Sequence, residues 1–122
     1  SIFLVAPNTS NLRIKKTLAV STGFVYVVSV FGTTGMRNSF NKYTLTAIKN
    51  IKKLSSNKKN LSVGFGISTP HHVKLMSNYG ADAVIVGSAI IKKIDGNKDS
   101  SIIQLQNNLR NYVKSLKAAC TN

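Results

Sequence analysis

Acidic side chains are almost absent from this sequence. Its 122 residues include three aspartates and no glutamate, against 17 lysines and arginines. General acid–base catalysis usually needs a carboxylate with a shifted pKa, or a histidine within reach of the reacting group. The pattern predicts Asp82 at a strand start, Asp95 in a loop and Asp99 at a helix start. Because these positions form no pair of carboxylates, we predict no catalytic acid or base in the sequence.

Disulfides and membrane helices are also not expected. The single cysteine, Cys120, lies in a polar tail and has no second cysteine with which to pair. The longest apolar run, residues 81–94, is interrupted by an aspartate, a glycine and a serine and is too short to span a membrane. Ser1 leads directly into a strand pattern without a basic leader, so we expect no secretory signal.

Histidine is scarce, and it offers no metal site. His71 and His72 are the two histidines of the sequence, and no thiol or carboxylate lies near them along the chain. A protein metal site needs three or four convergent ligands. Adjacent helical residues point in different directions, so we predict that both histidines lie on the outer surface of the helix that starts at Pro70.

Basic residues, by contrast, are abundant, and the formal net charge is +14. Such a charge raises the alternative of a basic nucleic-acid-binding module. The lysines are spread over every predicted helix, however, and their densest group has no aromatic residues among it on which bases could stack. That group comprises Lys49, Lys52, Lys53, Lys58 and Lys59. Its spacing is typical of the solvated face and C-terminal end of one helix, so we expect no nucleic-acid partner.

Short apolar runs predict four β-strands. The strands are expected at residues 2–6, 24–29, 61–63 and 83–86. The first is a continuous apolar run, typical of a strand buried on both faces. Residues 30–41, rich in glycine, threonine and asparagine, predict a mobile loop after the second strand.

Capping residues indicate where two of the helices begin. Thr9 or Ser10 is predicted to cap the first helix, and Gly23 to end it. Thr69 followed by Pro70 is a specific start signal for the third helix, because proline is favoured at the first helical position. These signals place a helix after the first and third strands, as a parallel sheet with crossover helices requires.

The remaining helices follow from apolar spacing. Residues 42–55 predict the second helix, residues 88–94 a short helical segment, and Asp99 is expected to cap the last helix. The last helix carries one apolar stripe, formed by Ile102, Leu105, Leu109, Tyr112, Val113 and Leu116.

Two glycine turns follow the last two predicted strands. Gly64 and Gly66 follow the third strand, and Gly87 with Ser88 follows the fourth, each shortly before a helix. Backbone N–H groups at a helix N-terminus bind phosphate, and glycine lets a ligand approach the backbone. An eight-stranded barrel often has its phosphate site after its last two strands, beside a short extra helix. We therefore predict an α/β fold in which this chain is the second half of a TIM (β/α)8 barrel.

The order and spacing of four motifs resemble those of the tryptophan synthase alpha chain family, in its C-terminal half. The motifs are residues 24–29, 32–35, 64–70 and 87–92. The resemblance implies a lyase that cleaves indole-3-glycerol phosphate to indole and glyceraldehyde 3-phosphate. It also implies an α2β2 heterotetramer with a β chain that carries pyridoxal phosphate, and no cofactor in this chain. The family's catalytic glutamate and aspartate belong to the first half of the barrel, so we expect these residues to be part of a longer chain, with one barrel domain.

The resemblance also assigns substrate-binding residues. Gly66, Gly87 and Ser88 match the family's donors to the substrate phosphate, and Gly35 matches the phosphate-contacting end of a lid loop. Lid contacts before Gly32 are expected to differ, because the family's basic and small residues are replaced there by valine and phenylalanine.

Three further residues match the remainder of the family's site. Tyr26 and Phe65 match residues that line the indole-glycerol pocket, although either could be an ordinary core aromatic. Thr34 matches the lid threonine that orders the catalytic aspartate, in a supporting role.

Another phosphate-binding barrel enzyme is the alternative interpretation. An isomerase or epimerase of aromatic, histidine or sugar-phosphate metabolism would share the glycine turns. The lysine-rich composition and cyanobacterial-like motifs favour a plastid-encoded chain in the chloroplast stroma, with a bacterial cytoplasm as the alternative.

Overall fold

The computed structural model describes residues 1–29 and 42–120, which contain the four predicted strands and their helices. The elements are β1 (Phe3–Val5), α1 (Asn11–Val20), β2 (Val25–Val28), α2 (Lys42–Leu54), β3 (Leu61–Gly64), α3 (Pro70–Asn78), β4 (Ala83–Ile85), α4 (Ser88–Asp95) and α5 (Ile102–Ala118). The predicted alternation of strand and helix is confirmed. The predicted loop at residues 30–41 lies outside the described residues.

The strands form one parallel sheet in the order β1-β2-β3-β4. Val27 pairs with Val63, and Val63 with Val84, so these three valines lie on the same face. The C-terminal ends of all four strands therefore meet at one edge of the sheet. Crossover helices join the strands, as parallel pairing requires.

Among the described residues, the helix side of the sheet is buried, whereas the opposite face is exposed at β1 and buried at Ser62 of β3. The helix side carries the core, in which Val25, Val27, Leu61 and Val63 are fully buried. On the opposite face Leu4 pairs with Tyr26 in register and is 66% exposed. The prediction that the first strand is buried on both faces is therefore wrong for residues 1–29 and 42–120, because no layer covers that face there.

The starts of α1 and α3 agree with the capping prediction. Ser10, not Thr9, caps α1, and its side chain accepts a hydrogen bond from the backbone N–H of Arg13. Thr69 caps α3 in the same way, with Pro70 at the first helical position. The predicted end of α1 at Gly23 is wrong, because the helix stops at Val20 and Ser21 caps it. The Ser21 backbone N–H donates to the carbonyl of Thr17.

The predicted start of the last helix also needs correction. Asp99 does not cap α5; the Ser101 hydroxyl accepts from the backbone N–H of Gln104 at 3.2 Å. The predicted apolar stripe is buried only towards the C-terminal end of α5, where Leu116 is 7% exposed, whereas Ile102 is 75% exposed. α5 packs on α3 and α4, and Ile103, next to Ile102 at its start, is likewise 72% exposed.

An ion pair stabilises the edge of the sheet at which the strands begin, opposite the edge formed by their C-terminal ends. Lys52 Nζ lies 2.7 Å from a carboxylate oxygen of Asp82, and the same oxygen accepts from the backbone N–H of Leu61 at 2.8 Å. Asp82 thus joins α2 to β3. Over the described ranges, no helix is both long enough and apolar enough to cross a membrane.

Candidate functional site

A cavity of about 360 Å³ opens at the C-terminal edge of the sheet. Five predicted site residues line it: Tyr26, Phe65, Gly66, Gly87 and Ser88. The other two, Thr34 and Gly35, lie outside the described residues. The five predicted site residues that lie within the described ranges thus come together from three separate parts of the chain.

The first glycine turn, residues 64–69, has an unusual backbone. Gly66 has a φ of 73°, which glycine adopts without strain, whereas Phe65 has a φ of 84°, which is unfavourable for a side chain with a β carbon. Backbone strain of this kind concentrates at functional sites. The Phe65 side chain is 69% exposed while lining the cavity, so it is not a core aromatic.

Ser29, which the sequence analysis did not single out, fixes the carbonyls of the first glycine turn. Its backbone N–H donates to the carbonyl of Gly64 at 2.8 Å, and its hydroxyl donates to the same carbonyl at 2.6 Å. The hydroxyl also contacts the carbonyl of Phe65. Ser29 is buried, at 3% exposure. The end of β2 therefore helps to hold the strained turn in place.

The second glycine turn, residues 86–88, leads directly into α4. Gly87 is the N-cap residue, and its carbonyl accepts from the backbone N–H groups of Ile90 and Ile91 at 2.9 and 3.2 Å. The first N–H groups of a helix have no partner within it and carry partial positive charge. Apart from Gly87 and its two neighbours in the chain, no described residue has an atom within 4 Å of where a β carbon on Gly87 would be. The helix start is therefore open to a ligand.

Lys92 adds a positive charge to the cavity wall. It lies four residues after Ser88 on α4, hence on the same helix face, and both residues line the cavity. The adjacent Lys93 points elsewhere, with its Nζ 4.7 Å from the centroid of the Tyr112 ring. Lys92 is the last residue of the motif at residues 87–92, and its position one turn after Ser88 was the signal that could have identified it as part of the site.

Ser68 joins the first glycine turn to two helices. The Tyr112 hydroxyl on α5 donates to the carbonyl of Ser68 at 2.8 Å, and His72 Nδ1 on α3 accepts from its backbone N–H at 3.2 Å. Desolvation by partial burial raises the pKa of the Tyr112 hydroxyl above its ordinary value. The prediction that His72 lies on the outer surface is wrong, because it is 6% exposed and packs beneath the turn. His71 is exposed, as predicted.

The described walls of the cavity combine the start of α4 with a lysine side chain and contain no carboxylate and no imidazole. None of the described lining residues is an aspartate or a histidine. Asp82 lies at the opposite edge of the sheet, and Asp95 pairs with Lys98 at 2.6 Å. Throughout residues 1–29 and 42–120, no three histidine, cysteine or acidic side chains come together as a metal site would require.

The whole chain resembles one family of known proteins. The sequence model for "Tryptophan synthase alpha chain" matches residues 1–121. The tryptophan synthase alpha chain of Methanothermobacter thermautotrophicus is 45% identical over 118 residues, which are 97% of this chain and 43% of that protein. That of Arabidopsis thaliana is 42% identical over 118 residues, with 97% and 42% covered. The chain thus spans less than half the length of these relatives.

Solved structures agree with the sequence relatives. A mutant tryptophan synthase alpha-subunit from Pyrococcus furiosus superposes with a TM-score of 0.78 and 33% identity, over 96% of this chain and 44% of that one. The chain matched in the tryptophan synthase a2b2 complex of the same organism has a TM-score of 0.77 and 36% identity, with 96% and 45% covered. The predicted fold class is confirmed: β1 to β4 with their helices are the last four βα units of a (β/α)8 barrel.

Proposed function

Because the chain belongs to the tryptophan synthase alpha chain family, we propose that it is the phosphate-binding half of a lyase of tryptophan biosynthesis. The reaction is the retro-aldol cleavage of indole-3-glycerol phosphate to indole and glyceraldehyde 3-phosphate. One observation supports this most directly: both glycine turns and Lys92 line the same cavity. A phosphate ester carries close to two negative charges at neutral pH, which suits backbone donors beside a cation.

The substrate is proposed to lie across the cavity. Its phosphate binds the backbone N–H groups at Gly66, Gly87 and Ser88 and the Ser88 hydroxyl, since the start of α4 favours an anion. Its indole-glycerol part contacts Tyr26 and Phe65, which line the same cavity. Aromatic side chains suit this role because they contribute a large apolar contact area.

The lid and the catalytic carboxylates complete the proposal. Gly35 is proposed to contact the phosphate, and Thr34 to orient a catalytic aspartate, as their match to the family's lid motif implies. The glutamate and aspartate that transfer protons are proposed to come from the other half of the same barrel domain. This agrees with the chain's coverage of 43% of its Methanothermobacter thermautotrophicus relative.

A β chain is the proposed partner, in an α2β2 heterotetramer. The matched Pyrococcus furiosus structure is described as showing mutual activation of the a2b2 complex, and we extend that assembly to this protein. Pyridoxal phosphate is proposed to be bound by the β chain, with no cofactor in the α chain. We propose the chloroplast stroma as its compartment, with a bacterial cytoplasm as the alternative, since relatives occur in a plant and in prokaryotes.

Steady-state cleavage of indole-3-glycerol phosphate by the full-length protein tests this function. We expect glyceraldehyde 3-phosphate and indole to form in equal amounts, and the rate to rise when β chain is added. Indole-3-glycerol without its phosphate should be a much poorer substrate. Absence of cleavage, together with isomerisation or epimerisation of another sugar phosphate, would instead assign the protein to a sister barrel.

A further inference from the structure

We propose that Tyr112 is a positioning residue that sets the spacing between the two glycine turns and thereby the affinity for phosphate. The inference rests on the proposed function, because it concerns the same phosphate site. Tyr112 belongs to α5, and it is not among the residues that line the cavity. It acts through the two segments that it contacts.

The first contact fixes the first glycine turn. The Tyr112 hydroxyl donates to the carbonyl of Ser68 at 2.8 Å across 44 residues of sequence. Ser68 lines the cavity and follows Gly66 by two residues. Its backbone N–H is held at the same time by His72 Nδ1. Because both backbone polar groups of Ser68 are bound by side chains, the turn has little freedom to move relative to α3 and α5.

The second contact fixes the helix that carries the second glycine turn. Lys93 Nζ lies 4.7 Å from the centroid of the Tyr112 ring, within the range of a cation–π interaction. Lys93 belongs to α4, whose N-cap is Gly87. The same tyrosine therefore contacts the first turn through its hydroxyl and the second turn's helix through its ring.

The spacing matters because one phosphate must accept hydrogen bonds from both turns. Such bonds weaken steeply when the distance or angle departs from the favoured range. A small displacement of one turn therefore costs more affinity for the phosphate than for the indole ring, because apolar contacts with Tyr26 and Phe65 depend less on distance and angle. This distinguishes a positioning role from a contribution to overall stability.

The test uses the full-length protein and three variants. Tyr112→Phe removes the hydroxyl and keeps the ring, Lys93→Met removes the cation and keeps the hydroxyl, and Tyr79→Phe is the control. Tyr79 caps the C-terminal end of α3 and does not line the cavity. Titration calorimetry with glycerol 3-phosphate and with indole gives the two affinities, and indole-3-glycerol phosphate cleavage gives KM and kcat.

We expect Tyr112→Phe to weaken glycerol 3-phosphate binding by about 3- to 10-fold, a loss that lies within the net contribution of the hydrogen bond that holds the turn in its binding geometry. KM should rise by a similar factor while kcat and indole affinity change less than about 2-fold. Lys93→Met should weaken phosphate binding by about 2- to 5-fold, and Tyr79→Phe should leave it unchanged.

Two results would overturn the inference and leave the proposed function intact. One is wild-type phosphate affinity in Tyr112→Phe; the other is an equal loss of phosphate and indole affinity, which would indicate general destabilisation. A wild-type protein that does not bind glycerol 3-phosphate would overturn both the inference and the proposed function.

Discussion

The hydroxyl of Tyr26 occupies the space that a β carbon on Gly64 would need. The two residues lie on neighbouring strands, on the sheet face that points away from the helices. The φ of Gly64 is not positive, so glycine is required here for space and not for backbone conformation. The absence of a side chain at Gly64 thus leaves room for the Tyr26 hydroxyl, and Tyr26 lines the cavity.

Gly64→Ala should therefore destabilise the full-length protein by about 1–3 kcal/mol, the usual cost of overpacking. Urea unfolding measures the loss. In a Tyr26→Ala background the same substitution should cost much less, because the space is then free. An equal cost in both backgrounds would show that the overlap with Tyr26 is not the cause.

Asp82→Ala should reduce stability without affecting the site. The carboxylate binds both Lys52 Nζ and the Leu61 backbone N–H, but about a third of its side chain is exposed, so we expect a loss of about 1 kcal/mol. Asp95→Ala, which breaks an ion pair with Lys98 that is largely exposed on both sides, should cost less than about 0.5 kcal/mol. Glycerol 3-phosphate affinity should stay at the wild-type value in both variants, and a loss in either would contradict this separation.

Lys92→Gln should weaken phosphate binding in a salt-dependent way. Lys92 lines the cavity, whereas Lys53, the matched control, lies at the exposed end of α2. We expect the Kd for glycerol 3-phosphate to rise about 3- to 10-fold for Lys92→Gln at low salt, and less at high salt because of screening. Lys53→Gln changes the net charge equally and should have little effect. Equal effects would mean that only the overall charge matters.

Residues 1–122 produced alone should self-associate. Leu4 and Phe65 are 66% and 69% exposed, and in the described sheet β1 and β4 each pair with a single neighbour. Open strand edges and an uncovered apolar face favour association. Analytical ultracentrifugation should show oligomers or aggregates, and a monodisperse monomer with a cooperative melt would disprove this expectation.

Sequence signals within a few residues predicted parts of the fold correctly, whereas contacts between residues far apart in sequence could not be predicted. Thr69 with Pro70 gave the start of α3 correctly because capping depends on residues close in sequence. Asp99 and Ser101 are both good capping residues, and a local pattern cannot choose between them. The choice depends on the packing of α5 against α3 and α4, which a local pattern does not contain. His72 was misplaced for the same reason, since burial depends on neighbours from other elements.

The residues of the candidate site also divide into those that local signals predicted and those that depend on long-range contacts. Gly66 and Gly87 were identified from glycines at strand ends, and the structure brings both to one cavity. The contact between Tyr112 and Ser68 spans 44 residues, and Ser29 resembles any serine at a strand end. Neither could be predicted, because each contact depends on how segments distant in sequence meet in the fold.

The most direct test of the phosphate site is the affinity of the full-length protein for glycerol 3-phosphate in wild type and Gly87→Val. The space around a β carbon at Gly87 is open within the described structure, so the variant should fold with a nearly unchanged melting temperature. Its side chain should block the donors at the start of α4, and each hydrogen bond to a charged group contributes about 1.5–3 kcal/mol. We predict at least a roughly tenfold loss of glycerol 3-phosphate affinity, with indole affinity preserved. Unchanged phosphate affinity in Gly87→Val, or an equal loss for indole, would contradict the assignment of the phosphate site.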